Sequence, residues 1–390
     1  MHCTGKVLED VFYVGSSDRR LALFENVFPI PNGVSYNSYL VMDEKTVLID
    51  TVDRSVSGVF LENIEHILEG RKLDYLIVNH MEPDHAATIG ELRLRHPETQ
   101  IVATKRALDM IGQFFDADTS IPCHAVKEGD QLKTGRHVFT FVNAPMVHWP
   151  EVMVSYDSCD KVLFSADGFG KFGALSVQED WACEARRYYF NIVGKYGAQV
   201  QALLKKASAL EIKTVCPLHG PVLTGEALGE ALRLYDLWSR WQSESPDDIL
   251  LAHASIHGNT ARAAELLKQK LEAKGARVTL CDLTTTEVSY AVANAFYCGK
   301  LVLACSTYDG GLFPPMEEFL SHLQAKGFRD RSVGLMENGS WAPAAARLMR
   351  ARLEEMKDLR VCDAVASLRS ALSPASEAQM DALTTELCAE

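Results

Sequence analysis

The sequence predicts two domains of α/β and α+β class in one chain: a sandwich of two sheets flanked by helices, then a doubly wound parallel sheet. Three observations lead there. The chain has 390 residues, enough for two cores of ordinary size. A polar cluster of turn formers, Ser243-Glu-Ser-Pro-Asp-Asp248, separates a helical stretch at 226–241 from an apolar, strand-like run at 249–254. Strands come in meander order before that cluster and alternate with helices after it. The expected division is therefore 1–248 and 249–390.

Composition narrows the class. Apolar residues make up 47% and charged residues 23%, which suits a soluble globular protein and argues against long disorder. Lys+Arg 39 against Asp+Glu 52 gives a net charge of −13. That balance argues against binding a nucleic-acid backbone and leaves room for metals or a basic partner. The 10 cysteines include no C-x-x-C pair, and the chain is too long and too sparse in them for a disulfide-stapled secreted domain. The start, MHCTGKVLED, lacks the apolar stretch of a signal peptide, and no run approaches the roughly 18 apolar residues of a membrane span. The expectation is a cytoplasmic protein, with no membrane or nucleic-acid partner and cysteines serving mostly as small buried hydrophobes.

In the first part, strands are expected at 7–14, 35–42 and 46–49, and again at 138–142, 152–156 and 162–165. Helices are expected near 56–68, 86–95 and 106–114. Between the apolar strand 75–78 and a helix from Ala86 lies Asn79-His80-Met81-Glu82-Pro83-Asp84-His85, with four metal-capable side chains in close succession. Alone, the segment also reads as a solvated turn with Asp84 capping the helix. Company changes that reading. His148 in Pro145-Met-Val-His-Trp-Pro150, Asp167 in Phe164-Ser-Ala-Asp-Gly168 and His219 in Cys216-Pro-Leu-His-Gly220 each follow an apolar run beside turn formers, where loops gather side chains into a site.

In the second part, a strand at 249–255 leads to a helix from Thr260 whose apolar face is Ala263, Leu266, Leu267 and Leu271, with Gly275 as its stop. Strands at 278–281 and 301–305, a helix bearing Met316, Phe319, Leu320 and Leu323, a strand at 333–336, a helix at 343–356, a strand at 361–365 and a helix after Ser373-Pro374 complete the alternation. Such alternation predicts a parallel sheet with helices on both faces and a ligand at the carboxyl ends of its strands. Three loops occupy those ends. Ser255, Ile256, His257, Gly258, Asn259 and Thr260 form a phosphate-like cradle at a helix start, without a Walker lysine or a G-x-G-x-x-G. Ser306, Thr307, Tyr308, Asp309, Gly310 and Gly311 follow the third strand; Asn338, Gly339, Ser340 and Trp341 follow the fourth. These two add aromatic rings and glycines that let backbone approach a flat ring.

The pattern His-x-Glu-x-Asp-His, then His148, Asp167 and His219, resembles the metallo-β-lactamase-fold domain of the flavodiiron proteins. Val34-Ser-Tyr-Asn-Ser-Tyr39, His148-Trp-Pro150, Asp167-Gly-Phe-Gly170, Phe172-Gly-Ala174 and Arg186-Arg-Tyr-Tyr189 match as well. The three-loop set resembles a flavodoxin domain that binds FMN, which that family carries at this position. His257 stands where an aromatic residue is common, and Cys305-Ser306 where Ser-Pro is common. Glu82 replaces the histidine usual in zinc hydrolases of the fold, an anionic oxygen that favours iron.

The resemblance implies a metallo-β-lactamase-like αββα sandwich followed by a flavodoxin-like sheet, carrying two non-haem irons and FMN. By position, His80, Glu82 and His148 would hold one iron, Asp84, His85 and His219 the other, and Asp167 would bridge, with no catalytic residue beyond these ligands. Electrons from an external donor would pass through FMN to the irons and reduce dioxygen to water or nitric oxide to nitrous oxide. Because no rubredoxin-like C-x-x-C module is present, the donor is expected to be separate, a rubredoxin or a reduced deazaflavin. The implied assembly is a head-to-tail homodimer or a dimer of dimers. Two other readings stand beside this one: a zinc-dependent hydrolase with a fused flavodoxin-like docking domain, and a non-enzymatic electron carrier or sensor.

Overall fold

A computed structural model describes residues 2–115 and 122–389. By contacts the chain forms two compact units: Met1–Tyr189 with Tyr196–Asp236, and Phe190–Lys195 with Leu237–Glu390.

The first unit is built on two facing sheets. One has seven strands in the order Gly5–Lys6, Val11–Tyr13, Tyr39–Met42, Thr46–Ile49, Tyr75–Val78, Gln100–Thr104 and Cys123–Val126, antiparallel up to Thr46–Ile49 and parallel beyond. The other has six: Gln131–Lys133, Val138–Asn143, Met153–Asp157, Val162–Phe164, Thr214–Cys216 and Leu223–Thr224. Alternate residues of both point into one core, with Tyr39, Val41, Ile49 and Ile77 from the first meeting Phe139, Phe141, Met153 and Phe164 from the second. This is the expected sandwich. The strands expected at 7–14 and 35–42 are each broken, the latter into Val34–Tyr36 and Tyr39–Met42, which belong to different sheets. Asn37 sits in the break, where its amide donates to the carbonyls of Pro217 and Gly220 at 2.8 and 2.7 Å.

The second unit is a six-stranded sheet whose five main strands are parallel, in the order Val278–Asp282, Ser245–Ala254, Cys298–Tyr308, Arg331–Asn338 and Leu359–Leu368, with the short strand Gly311–Leu312 antiparallel to Cys298–Tyr308. That is the 2-1-3-4-5 order of a flavodoxin-like doubly wound sheet, with its switch point between the first and third strands. The helix Asn259–Glu272 buries Thr260, Ala263, Ala264, Leu267 and Leu271, while Leu266, expected inside, is only half-buried.

The polar segment 243–248, expected as a turn, is partly strand: Ser245 already pairs with Cys298, and the register is irregular between Ser245 and Ile249. The irregularity accommodates Pro246, which has no N–H for a ladder. Gly299 belongs to the same arrangement, since a Cβ there would lie 2.0 Å from the Pro246 carbonyl oxygen. The helix Val288–Tyr297 had no sequence expectation; it buries Ala291, Val292, Ala295 and Phe296.

Candidate functional site

Each predicted metal-capable side chain of the first unit lies just past the carboxyl end of a strand or on the loop that follows one. His80 to His85 follow Tyr75–Val78 and run into the short helix Pro83–Ala86; His148 lies between Val138–Asn143 and Met153–Asp157; Asp167 follows Val162–Phe164; His219 follows Thr214–Cys216. The last two strands are parallel, so their ends open on one side of the sheet. The buried carboxylate of Asp50 anchors the first loop, accepting from the Asn79 N–H at 2.7 Å, the Asn79 amide at 2.9 Å and the His80 N–H at 3.2 Å. Burial pushes the Asp50 carboxyl up to about 6.

The seven side chains converge in two groups, His80, Glu82, His148 and Asp167 in one and Asp84, His85 and His219 in the other. In the first, Glu82 Oε2 lies 3.3 Å from His80 Nε2 and 2.9 Å from His148 Nε2. In the second, Asp84 Oδ2 lies 3.3 Å from His85 Nε2 and 3.2 Å from His219 Nε2, and those two nitrogens are 3.1 Å apart. Asp167 divides its oxygens between them: Oδ2 faces His80 and His148 at 3.4 and 3.1 Å, and Oδ1 faces His85 and His219 at 3.2 and 3.8 Å. Edges of about 3 Å are what ligands at about 2.1 Å from a common octahedral centre would show. Each group contains two imidazoles and one carboxylate besides Asp167, the donor set of non-haem iron.

Two of the rings are held from behind. His80 Nδ1 meets Glu151 Oε1 at 2.9 Å, and His219 Nδ1 meets the Ser35 carbonyl at 2.7 Å. Donating there leaves each Nε2 lone pair aimed into the site, the usual support of a metal-bound histidine. Glu151 also accepts from the Met81 N–H at 2.9 Å. Gly220, at φ +82°, turns the chain directly after His219 and donates its N–H to the Ser35 hydroxyl at 2.7 Å.

Electrostatics agree with a cation site. Burial opposes charge on Asp167, but His80, His148 and His85 facing it hold its carboxyl well below the ordinary carboxylate range. Burial likewise opposes charge on His148, yet Asp167 and Glu82 hold its imidazole up at about 9. Glu25, on the turn between Leu23–Phe24 and Phe28–Pro29, is pushed up to about 8 by desolvation and by Glu82 beside it. The decisive feature is what is left over. Asp84 and Asp167 each have both side-chain oxygens buried without a hydrogen bond, a costly state that a bound cation would relieve.

A third group, Asp10, His137 and Asp160, has metal-capable types but is already satisfied. The Arg136 guanidinium donates to Asp10 at 2.8 and 3.0 Å and to Asp160 at 2.6 Å, and His137 bridges Asp10 at 3.0 Å and Asp157 at 2.9 Å. A built-in cation occupies the position an ion would need.

In the second unit, the carboxyl-end loops line a cavity of about 520 Å³, within the range of cofactor sites. Of the expected contacts, Ser255, Ile256, His257, Asn259, Thr260, Ser306, Thr307, Tyr308, Asp309, Gly310, Asn338, Gly339, Ser340 and Trp341 line it. Gly258 and Gly311 do not: Gly258 is the helix N-cap, at φ +87°, and Gly311 pairs with Tyr308 in a short antiparallel extension. Ala342 and Ser370 line the cavity and had no sequence expectation. Ser370 belongs to the loop after the fifth strand, where its N–H donates to Asn338 at 3.0 Å; its signal was its place on the carboxyl side of the sheet.

No side chain caps the helix Asn259–Glu272, so its first N–H groups point into the cradle unpaired by a cap, as a phosphate site requires. Thr260 and Ser306 hydroxyls lie 2.8 Å apart beside it. At the other end Trp341 is 89% exposed and Tyr308 42%, open faces on which a flat ring can lie. Hydroxyls, amide and N–H groups at one end and aromatic rings at the other fit a flavin mononucleotide.

A family model described as ODP family beta lactamase matches residues 34–220. The chain is 29% identical over 363 residues to an anaerobic nitric oxide reductase flavorubredoxin of Aliivibrio salmonicida, covering 90% of this chain and 72% of that protein. It is 27% identical to a nitric oxide reductase of Moorella thermoacetica, covering 90% of each. Among solved structures, the rubredoxin oxygen:oxidoreductase of Desulfovibrio gigas superposes with a TM-score of 0.92 at 24% identity, over 99% of this chain and 98% of that one.

Proposed function

We propose that the chain is a flavodiiron protein, an oxidoreductase reducing nitric oxide, dioxygen or both with two non-haem irons and FMN. One observation carries the reading: the two oxygens of Asp167 face two separate sets of two histidines and a carboxylate. In this reading His80, Glu82 and His148 hold one iron, Asp84, His85 and His219 the other, and Asp167 spans both. The loops at Ser255–Thr260, 306–310 and 338–341 hold FMN. Residues 1–248 and 249–390 are the domains we propose for the two cofactors.

Bound there, FMN supplies electrons one or two at a time and the irons supply open coordination positions for a diatomic gas. The rest is done by the chain. Glu151 and the Ser35 carbonyl fix the orientation of His80 and His219. Phe24, Tyr188 and Tyr36 pack around the His219 ring at centroid distances of 5.3, 5.4 and 5.9 Å, and Trp149 against His80 at 5.5 Å, excluding water from the imidazoles. The anionic Glu82 in place of a histidine weighs against the zinc hydrolase reading.

The finer parts of the proposal are a separate protein donor such as rubredoxin, a head-to-tail homodimer and a cytoplasmic location, which ten free cysteines support. The test is the purified protein's visible spectrum and metal content together with gas consumption by reduced rubredoxin. Flavin absorption, about two irons per chain and consumption of either gas are expected. A colourless zinc protein would overturn the reading.

A further inference from the structure

Behind the metal-site loops the first unit contains a second cavity, of about 20 Å³, with no polar surface exposed to it. It is walled on one side by the residues that carry the site: Val147 immediately precedes His148, and Gly168 and Phe169 immediately follow Asp167. On the other side lie Val200 and Leu204 of the helix Gly197–Ala207 and Leu232 of the helix Gly225–Ser239. Val147, Phe169 and Val200 are buried, whereas Leu204 and Leu232 are half-buried, so the lining runs from near the surface inward to the site loops.

The two polar side chains on the wall are engaged elsewhere. The Ser165 hydroxyl donates to the Gly168 carbonyl at 2.7 Å, and the Tyr235 hydroxyl accepts from the Phe169 N–H at 2.6 Å. A water placed in the cavity would lack the two to four partners it needs, so the cavity is dry. Its size is that of about one small molecule, and apolar cavities of this kind bind xenon and other apolar guests. A diatomic gas loses almost nothing on leaving water for such a place, while water and ions lose their hydrogen bonds.

We propose that this cavity is a holding site for the diatomic substrate, taking dioxygen or nitric oxide from beneath the helix Gly197–Ala207 and keeping it behind the loops that carry His148 and Asp167. The inference rests on the gas-reducing function proposed above and adds to it where the gas waits. As a station on the route to the metals the cavity acts on delivery of the gas, so closing it lowers kcat/KM and raises KM while kcat at saturating gas is unchanged.

The test is a crystal of the holoenzyme under xenon pressure, paired with the filling variant Leu204→Trp. Xenon is expected in the cavity of the parent protein and absent from the variant. The variant should show about a fivefold higher KM for the gas, with kcat, iron content and the rate of flavin reduction by the donor unchanged. Val200→Phe fills the same space from the next turn of the helix if Leu204→Trp does not fold. No xenon in the parent, or an unchanged KM in a folded variant that has lost its xenon, would overturn the inference. Xenon density is read whether or not gas is consumed, so failure of the cavity and failure of the proposed reaction are told apart.

Discussion

The two candidate sites of this chain are made in opposite ways. In the first unit, side chains converge: His80, His85 and His219 are fully buried, and carboxylates are left without hydrogen bonds at the centre. In the second, the loops offer N–H groups, hydroxyls and an almost fully exposed tryptophan around an open cavity. A converging site concentrates its energy in few atoms, so single substitutions should be severe. An open cradle spreads it over many weak contacts, so single substitutions should be mild. The Arg136 cluster sharpens the point. Its residue types match a metal site, yet with a guanidinium in place its carboxylates are satisfied. Residue type alone does not mark a metal centre; unsatisfied convergence does.

The contrast can be broken most directly at Asp167. Asp167→Ala removes the one carboxylate facing both groups, and gas consumption should fall more than about 100-fold with iron content below one per chain and flavin retained. Two irons surviving in that variant would mean the groups are independent. Glu151→Ala leaves all seven residues in place but frees the His80 ring, and iron affinity should drop about 10–100-fold in a chelator competition.

His137→Gln probes the cluster with its own cation and should cost about 1–2 kcal/mol in denaturant unfolding without changing iron content. Burial works against charge on His137, but Asp157 and Asp10 hold its imidazole at about 9 against an ordinary 6.5, with Arg136 and Asp160 alongside. A raised histidine contributes fully below about 6.5, and its contribution is lost as pH rises through about 9. The parent should therefore lose more Tm across that window than the variant. Trp341→Ala, the mildest change, should weaken FMN binding about fivefold by fluorescence titration, near the 1 kcal/mol of an aromatic contact, and leave the irons untouched.

How much was legible follows the same division. The seven metal-capable side chains could be named because each stands at the end of an apolar run beside turn formers, a pattern carried by identity and spacing. Glu151 escaped because it touches a ring, and the Ser35 carbonyl because backbone acceptors have no letter in a sequence. In the cradle, three loops were visible through their glycines and aromatics, while Ser370 depends on a fourth loop that only the closed sheet brings alongside. The helix Trp181–Tyr188 lacked an apolar stripe because its inward face includes Arg186 and Arg187. Arg187 is buried over the Phe172 ring at 4.3 Å and paired with Glu184 at 2.7 Å, and no hydrophobicity pattern reveals that. Val288–Tyr297 is apolar nearly all round and offers no period to read.

The shared position of Asp167 has a consequence for how the molecule comes together. His80, Glu82, Asp84 and His85 hang from the seven-stranded sheet, while His148, Asp167 and His219 hang from the six-stranded one. His85 and His219 are 134 residues apart in the chain and 3.1 Å apart in space. Any ion held between them staples one sheet to the other, closing a loop longer than most disulfides span. The complete set of ligands exists only when both sheets have paired, so binding of an ion there would be coupled to closing the sandwich.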